Sequence, residues 1–283
     1  MSDLLRASVF PHTLLVGASG PIGRAVSRLS GVHDLPVVAT SRSGSLTVDV
    51  AIPAQVEAIL RSVRPEALVY LVRAQRGASD RQIGTAVEQM LRVASLAVQA
   101  GVSRFVLASS AAVYGDRHRA PRRESDPTEG VSAYATEKIT AERQLERFAL
   151  DRGLSAASAR IFNVFGPGCR DSLLNALVEG PPPVLAVTPH FVRDYVHVDD
   201  VASALLLGFP DDAIRTIDVD DCFRLKTVEL NHAIASDRAA GKRPFVVVAN
   251  GGTTNTGAID PLPEIAEVCQ RSKLWFHVDA AYG

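Results

Sequence analysis

The chain has 283 residues, 47% of them hydrophobic and 22% charged, a soluble globular composition that can fill one large domain or two ordinary ones. Its 30 Lys plus Arg against 31 Asp plus Glu leave a net charge of −1. Such a balance argues against nucleic acid or an anionic membrane surface as a partner. Short β-branched runs at 13–16, 36–40, 67–72 and 104–108 read as buried strands, and helical patterns at 21–30, 53–63 and 80–100 separate them. The alternation predicts βαβ units and a doubly wound α/β fold, because parallel strands need right-handed crossovers that cover both sheet faces. Gly17, Gly20 and Gly23 fall between the first strand and the first helix. That spacing permits a tight turn, close approach of a pyrophosphate, and free N–H groups at a positive helix end; a plain strand-to-helix turn is the competing reading. A further helix is expected over 132–150, carrying Tyr134 and Lys138 one turn apart on one face. An ammonium beside a phenol favours the phenolate, so the tyrosine gains acid/base capacity nearer neutrality. Beyond it, Gly166, Pro167 and Gly168, then Pro181, Pro182 and Pro183, mark loops and a lobe beside the sheet.

The three cysteines, Cys169, Cys222 and Cys269, are few, odd in number and outside any metal-ligand spacing, as expected in a reducing compartment. No metal site is expected. The opening MSDLLRASVFPHT lacks a signal-peptide core, and no apolar run reaches the roughly 20 residues of a membrane span, so a cytoplasmic protein is expected. Arg117, Arg119, Arg122 and Arg123 read as a solvated loop.

The segments GASGPIG at 17–23, SSAAVYG at 109–115, YATEK at 134–138, RIFNVFGPG at 160–168 and RDYVHVDDVA at 193–202 occur in that order. Together they resemble the extended short-chain dehydrogenase/reductases, the NAD-dependent epimerase/dehydratase family that acts on nucleotide sugars. The resemblance covers about 1–208 and implies a Rossmann-type sheet. It implies that Ser110 hydrogen-bonds the substrate oxygen, that Tyr134 moves the proton, and that Lys138 holds the nicotinamide ribose. Gly17, Ser19, Gly20, Ile22 and Gly23 would cradle the cofactor, and Asp49, after a third short strand, would contact its adenine; a helix N-cap before Pro53 is the competing role for Asp49. Asn163 and Arg193 would contact the sugar diphosphate, against the plainer readings of a loop cap and an ion pair with Asp194. The family also implies a homodimer through helices that include YATEK.

Two local details narrow the reaction. At the end of the second strand stands Thr40-Ser41-Arg42, where an NAD-preferring enzyme would carry an acidic residue; arginine suits a 2′-phosphate, so NADP is expected, with NAD as the alternative. Ala111 and Ala112 stand where the family's dehydratases carry an acid/base pair, which leaves 4-keto reduction or epimerisation of a nucleotide sugar. Arg73, where small residues are usual, and Arg81, where an asparagine is usual, depart from the pattern.

From about Ile214 onward the text resembles group II pyridoxal-phosphate-dependent decarboxylases, ending in FVVVANGGTTNTGAIDPLPEIAEVCQRSKLWFHVDAAYG at 245–283. By that resemblance Asp279 would pair with the pyridinium nitrogen, Ala281 would lie against the ring, and Thr254 would contact the cofactor. The Schiff-base lysine of such enzymes lies downstream of HVDAAYG, and neither Lys242 nor Lys273 stands in its motif. Pyridoxal phosphate is therefore not expected to bind productively. The expected organisation is a nucleotide-binding domain over 1–165, a partial substrate lobe over 166–211, and a fragment of a pyridoxal-phosphate-dependent transferase-like fold over 212–283. Two other functions compete with the oxidoreductase: a decarboxylase fragment, and a catalytically idle nucleotide-binding protein.

Overall fold

The computed structural model describes residues 12–32, 34–74, 77–115, 122–170, 172–179, 194–207, 215–242, 244, 246–252 and 257–279. Five parallel strands make the main sheet: β1 (Thr13–Val16), β2 (Val37–Thr40), β3 (Ala67–Tyr70), β4 (Arg104–Ser110) and β5 (Ser155–Ile161), in the order β2-β1-β3-β4-β5. Their first residues lie in one row, since Thr13 pairs with both Val37 and Ala67, Ala67 with Arg104, and Arg104 with Ser155. With the starts aligned, the C-terminal ends of β1 to β3 open together toward one edge, where ligands of doubly wound sheets lie. The fold class is the α/β, Rossmann-type one expected.

Each crossover helix follows from its local sequence. Helix α1 is Pro21–Val32, and α2 is Pro53–Val63, which starts at proline and stops at Arg64 in the left-handed region (φ 48°) with its N–H on Leu60 O at 2.9 Å. Helix α3 (Asp80–Gln99) begins where Gln82 Oε1 takes the Ser79 N–H at 2.8 Å, and buries Ile83, Val87, Met90, Val93, Ala94 and Ala97 at helical spacing. Helix α4 (Ala133–Arg152) is capped by Ser132, whose hydroxyl accepts the Ala135 N–H at 3.1 Å, and ends at left-handed Gly153. The core joins the apolar strand faces to these helices, with Leu14, Leu68 and Phe105 fully buried and Tyr70 stacked on Phe105 at 6.0 Å. Beyond β5, the short parallel pair β6 (Asn163–Phe165) and β7 (Tyr195–His197) is joined by α5 (Leu173–Glu179) and followed by α6 (Val198–Leu207).

The elements differ from expectation mainly at their ends. Strand β3 stops at Tyr70 rather than at residue 72, so Leu71 to Ala74 are loop, and β4 runs on to Ser110. Between β2 and Asp49 the chain makes only an isolated parallel bridge, of Ser41 with Thr47.

Two compact units divide the chain, one of His12–Gly31 and Pro36–Phe209, the other consisting chiefly of Pro210–Gly283. Within the second, α7 (Thr227–Ala239) precedes a βαβ unit of β8 (Val246–Asn250), α8 (Leu262–Ser272) and β9 (Trp275–Asp279), whose strands pair in parallel from Val246 with Trp275 to Asn250 with Asp279. It has its own core, in which Leu230, Ile234, Val247, Ala249, Ile265, Val268 and Cys269 are buried. Asp260, 5% exposed, accepts the N–H groups of Leu225 at 2.6 Å and Asn250 at 2.7 Å. That carboxylate fastens the segment before α7 to the end of β8.

The cysteines report whether this packing forms. Cys222 is exposed, Cys169 and Cys269 are buried, and burial pushes the Cys269 thiol up to about 11. With a chromogenic disulfide reagent at neutral pH, Cys222 is expected to react at least about tenfold faster than Cys269. Equal rates, read by mass spectrometry of trapped peptides, would show that the second unit does not hold its core.

Candidate functional site

A cleft of about 600 Å³ lies at the C-terminal ends of β1 to β3, lined by Gly17, Ser19, Gly20, Arg42, Asp49, Tyr70, Arg73, Glu137 and Lys138 among others. Its glycines do three different jobs. Gly17 has φ +93°, and a Cβ there would meet Val72 Cγ2 at 2.9 Å, so the turn out of β1 demands glycine. A Cβ on Gly23 would fall 2.4 Å from Ala18 Cα, so this residue lets α1 pack against the loop. A Cβ on Gly20 would meet nothing within 4 Å, and Gly20 lines the cleft: here the missing side chain leaves room for a ligand rather than for the protein. The N–H groups of Gly17 and Ala18 are both spent on Thr40 O at 2.9 Å, which ties the loop to β2. Ile22 and Gly23 sit in the first turn of α1, where N–H groups have no intrahelical acceptor and carry the positive end of the helix dipole. An open glycine at a helix N-terminus fits a pyrophosphate.

Arg42 and Asp49 line the same cleft. Asp49 is not the N-cap of α2, a place taken by Ile52; its Oδ1 instead accepts the Ala51 N–H at 2.9 Å, a local turn bond that leaves capacity for a ligand.

Helix α4 brings Tyr134 and Lys138 together, with Lys138 Nζ 5.8 Å from the Tyr134 ring centroid. Tyr134 is 39% exposed and Lys138 only 3%. Burial holds the Lys138 ammonium below its ordinary range, while neighbouring Glu137 pulls it back up and Arg73 adds to the downward push. Ser110 ends β4 and caps the 3₁₀ turn Ala111–Tyr114, its Oγ accepting the Ala112 N–H at 3.2 Å. Of the three expected catalytic side chains, Lys138 lines the cleft, and among the described residues no hydrogen bond joins Ser110 to Tyr134. What relates those two is the loop before α4: a Cβ on Gly130 would fall 2.3 Å from Ala112 O and 2.5 Å from Ala135 Cβ. Only glycine lets that loop pass between the Ser110 turn and the first turn of α4.

Asn163 lies on β6, its amide donating to Asp194 O at 2.9 Å, which ties β6 to the start of β7. Arg193, Thr254 and Ala281 lie outside the described residues. Asp279 closes β9, its backbone opposite Asn250.

Sequence reasoning missed a buried polar network. Glu142 takes bonds from Arg160 Nε at 3.1 and 3.2 Å and from a terminal guanidinium nitrogen at 2.9 Å, and Ser109 Oγ also donates to it. The other guanidinium nitrogen of Arg160 donates to the Tyr114 hydroxyl at 3.0 Å and to Glu124 O at 2.8 Å. Glu137, 5% exposed, is the second missed residue: its Oε1 takes the Ala74 N–H at 3.2 Å and lies 3.7 Å from Lys138 Nζ. The available signal was the charge at Glu137, Lys138 and Glu142 within the helix predicted over 132–150, which ordinarily reads as solvated helix.

Among the described residues no helix is long and apolar enough to cross a membrane, and no three His, Cys, Asp or Glu are grouped to hold a metal.

A parallel sheet, an open glycine at the first helix N-terminus and a buried lysine in the same cleft define a Rossmann-type dinucleotide-binding class. Residues 13–215 match the model of the NAD dependent epimerase/dehydratase family, and the chain belongs to that family. Residues 191–283 match the pyridoxal-dependent decarboxylase conserved domain, overlapping the first match over 191–215. The structure resembles UDP-glucose 4-epimerase with UDP-glucose from Thermotoga maritima, at 24% identity and TM-score 0.60 over 69% of this chain and 72% of that one. It also resembles DesIV, a dTDP-glucose 4,6-dehydratase from Streptomyces venezuelae with NAD and TYD bound, at 24% identity and TM-score 0.59 over 69% and 70%. These likenesses concern the fold. Cysteine sulfinic acid decarboxylase of Mus musculus is 41% identical over 117 residues, 41% of this chain and 22% of that protein. The chain thus spans about a fifth of the curated relatives it matches.

Replacing Arg160 with methionine would leave the Glu142 carboxylate buried without its partner. Arg160→Met is expected to lower unfolding free energy by about 3 kcal/mol, read as a lower denaturant midpoint with unchanged slope.

Proposed function

We propose that this protein is an NADP-dependent oxidoreductase that carries out 4-keto reduction, or epimerisation, of a nucleotide sugar. The observation that carries the proposal is the cleft at the ends of β1 to β3, open at Gly20 and holding buried Lys138. When bound, the nicotinamide cofactor supplies hydride to the carbonyl carbon. The first turn of α1 receives the pyrophosphate, Asp49 the adenine, and Arg42 the 2′-phosphate, for which its fork of donors is suited. Lys138 holds the ribose hydroxyls. Ser110 hydrogen-bonds the carbonyl oxygen and Tyr134 gives it a proton, so that C=O becomes CH–OH. Ala111 and Ala112 leave no carboxylic acid beside Ser110 to expel water, which favours reduction or epimerisation over dehydration. The nucleotide diphosphate falls to Asn163 and Arg193, and a homodimer through α4 accords with the family. The organisation follows the same reading, with the nucleotide domain over 1–165, a partial substrate lobe to 211, and the decarboxylase-like piece beyond.

Fluorescence titration should show NADPH binding more tightly than NADH, and Arg42→Ala should weaken NADPH about tenfold or more while sparing NADH. Tyr134→Phe should keep NADPH affinity while turnover of a 4-keto sugar nucleotide drops by roughly 10²–10⁴. Undiminished turnover would remove Tyr134 from the chemistry.

We further propose that the segment resembling decarboxylases does not decarboxylate amino acids. Lys242 and Lys273 are exposed, Lys273 as the residue that ends α8, and neither stands in a Schiff-base motif. Incubation with pyridoxal phosphate should give no absorption band that borohydride fixes to a lysine; a trapped adduct on either residue defeats this reading.

A further inference from the structure

Lys138 and Glu137 are adjacent on a helix, a spacing at which side chains normally diverge, yet both are almost wholly buried and both line the cleft. An ammonium removed from water needs a counter-charge to stay charged, and the Glu137 carboxylate lies 3.7 Å from Lys138 Nζ. Glu137 is itself fixed from across the cleft, since its Oε1 accepts the N–H of Ala74 in the loop after β3 at 3.2 Å. We infer that Glu137 is a positioning residue for Lys138, holding the lysine charged and aimed in the cleft so that it can bind the cofactor ribose. This rests on the nicotinamide reading of the cleft.

The surroundings leave Glu137 as the partner that matters. On α4, Glu142 also favours the charged lysine, but it is committed to Arg160. From β3 and its loop come Tyr70 and Arg73, and Arg73 opposes a second positive charge. Helix α3 contributes Gln82, Thr85 and Gln89 to the cleft, all uncharged, and Arg42 and Asp49 complete its ionisable lining. Without Glu137, burial and Arg73 both act against the ammonium, and Lys138 gives up its proton at lower pH. Glutamine keeps an Oε1 that can accept the Ala74 N–H, so Glu137→Gln removes the charge and spares the tether.

The test titrates the lysines of the full chain, Lys138, Lys226, Lys242 and Lys273, by NMR of carbon-13-labelled lysine in wild type and Glu137→Gln. NADPH affinity is measured on both across about pH 6.5 to 9. The Lys138 signal is expected to titrate at lower pH in the variant while the other three lysines stay put. The variant's NADPH dissociation constant should rise about tenfold across that range while that of the wild type holds level. Superimposable Lys138 titrations overturn the role of Glu137, whatever the cofactor does. A wild type that binds neither NADPH nor NADH overturns the cofactor reading, and with it this role in ribose binding; the lysine titration, read without cofactor, tells the two failures apart. If Glu137→Gln does not fold, Glu137→Asp carries the test, since it draws the charge back on a shorter arm: a Lys138 titration at lower pH than in wild type supports the role, and an unmoved one overturns it.

Discussion

Helix α4 buries charge on the face it turns to the sheet, and the contact between Glu142 and Arg160 is what makes that burial tolerable. A carboxylate 8% exposed would be costly on its own; four donated hydrogen bonds from Arg160 and Ser109 satisfy both its oxygens. The same guanidinium reaches the Tyr114 hydroxyl and lies 5.0 Å from that ring's centroid. One arginine on β5 therefore ties α4 to the end of β4 and to the 3₁₀ turn that Ser110 caps. Lys138 lies one turn before Glu142 and Tyr134 two turns before it, so the depth and rotation of the proposed catalytic pair follow from this anchor.

The glycine loop is the second fixed point. Thr40 holds it from the β2 side by accepting two N–H groups, and its own hydroxyl donates to Leu15 O at 3.1 Å, so β1, β2 and the loop move as one body. Between this loop and α4 the cleft is bounded by rigid elements, and its ligand-facing surface is backbone on one side and buried charge on the other. Sites held in that way need little rearrangement to receive a ligand, which is the physical advantage of placing them at strand ends.

Much of this was legible in the sequence because it is local. Glycine spacing, β-branched runs and the Tyr134–Lys138 interval each express a backbone requirement or a helical period within a few residues. The parallel pairing of 13–16 with 67–70 accords with the alternation of strands and helices, whereas their register is read only from the folded sheet. Burial depth is not local. Glu137 and Glu142 look like ordinary solvated helix residues until β4, β5 and the loop after β3 close over them, and Arg160 looks like the opening letter of a motif rather than the partner of a carboxylate 18 positions earlier. Gly130 was silent for the same reason, since the tightest pressure on it comes from the carbonyl oxygen of Ala112, far back along the chain. Asp49 shows the opposite limit: its residue type suits several turn bonds, and only the backbone geometry decides that it serves Ala51 rather than the helix start.

The decarboxylase-like unit shows how few residues a supersecondary piece needs to pack. A βαβ piece needs two apolar strands, a helix with one buried face and acceptors for the loop N–H groups, and all three are supplied within the unit: Val247 and Ala249 on β8, Ile265, Val268 and Cys269 on α8, and Asp260 in the connection. These are shape requirements, which a short stretch of chain meets by itself. A pyridoxal site instead needs a phosphate cradle, a ring platform and a lysine converging from separate elements. The epimerase-like part has the reverse balance, for its glycine loop, Ser110, Tyr134 and Lys138, the residues proposed to act together, all lie within β1 to α4.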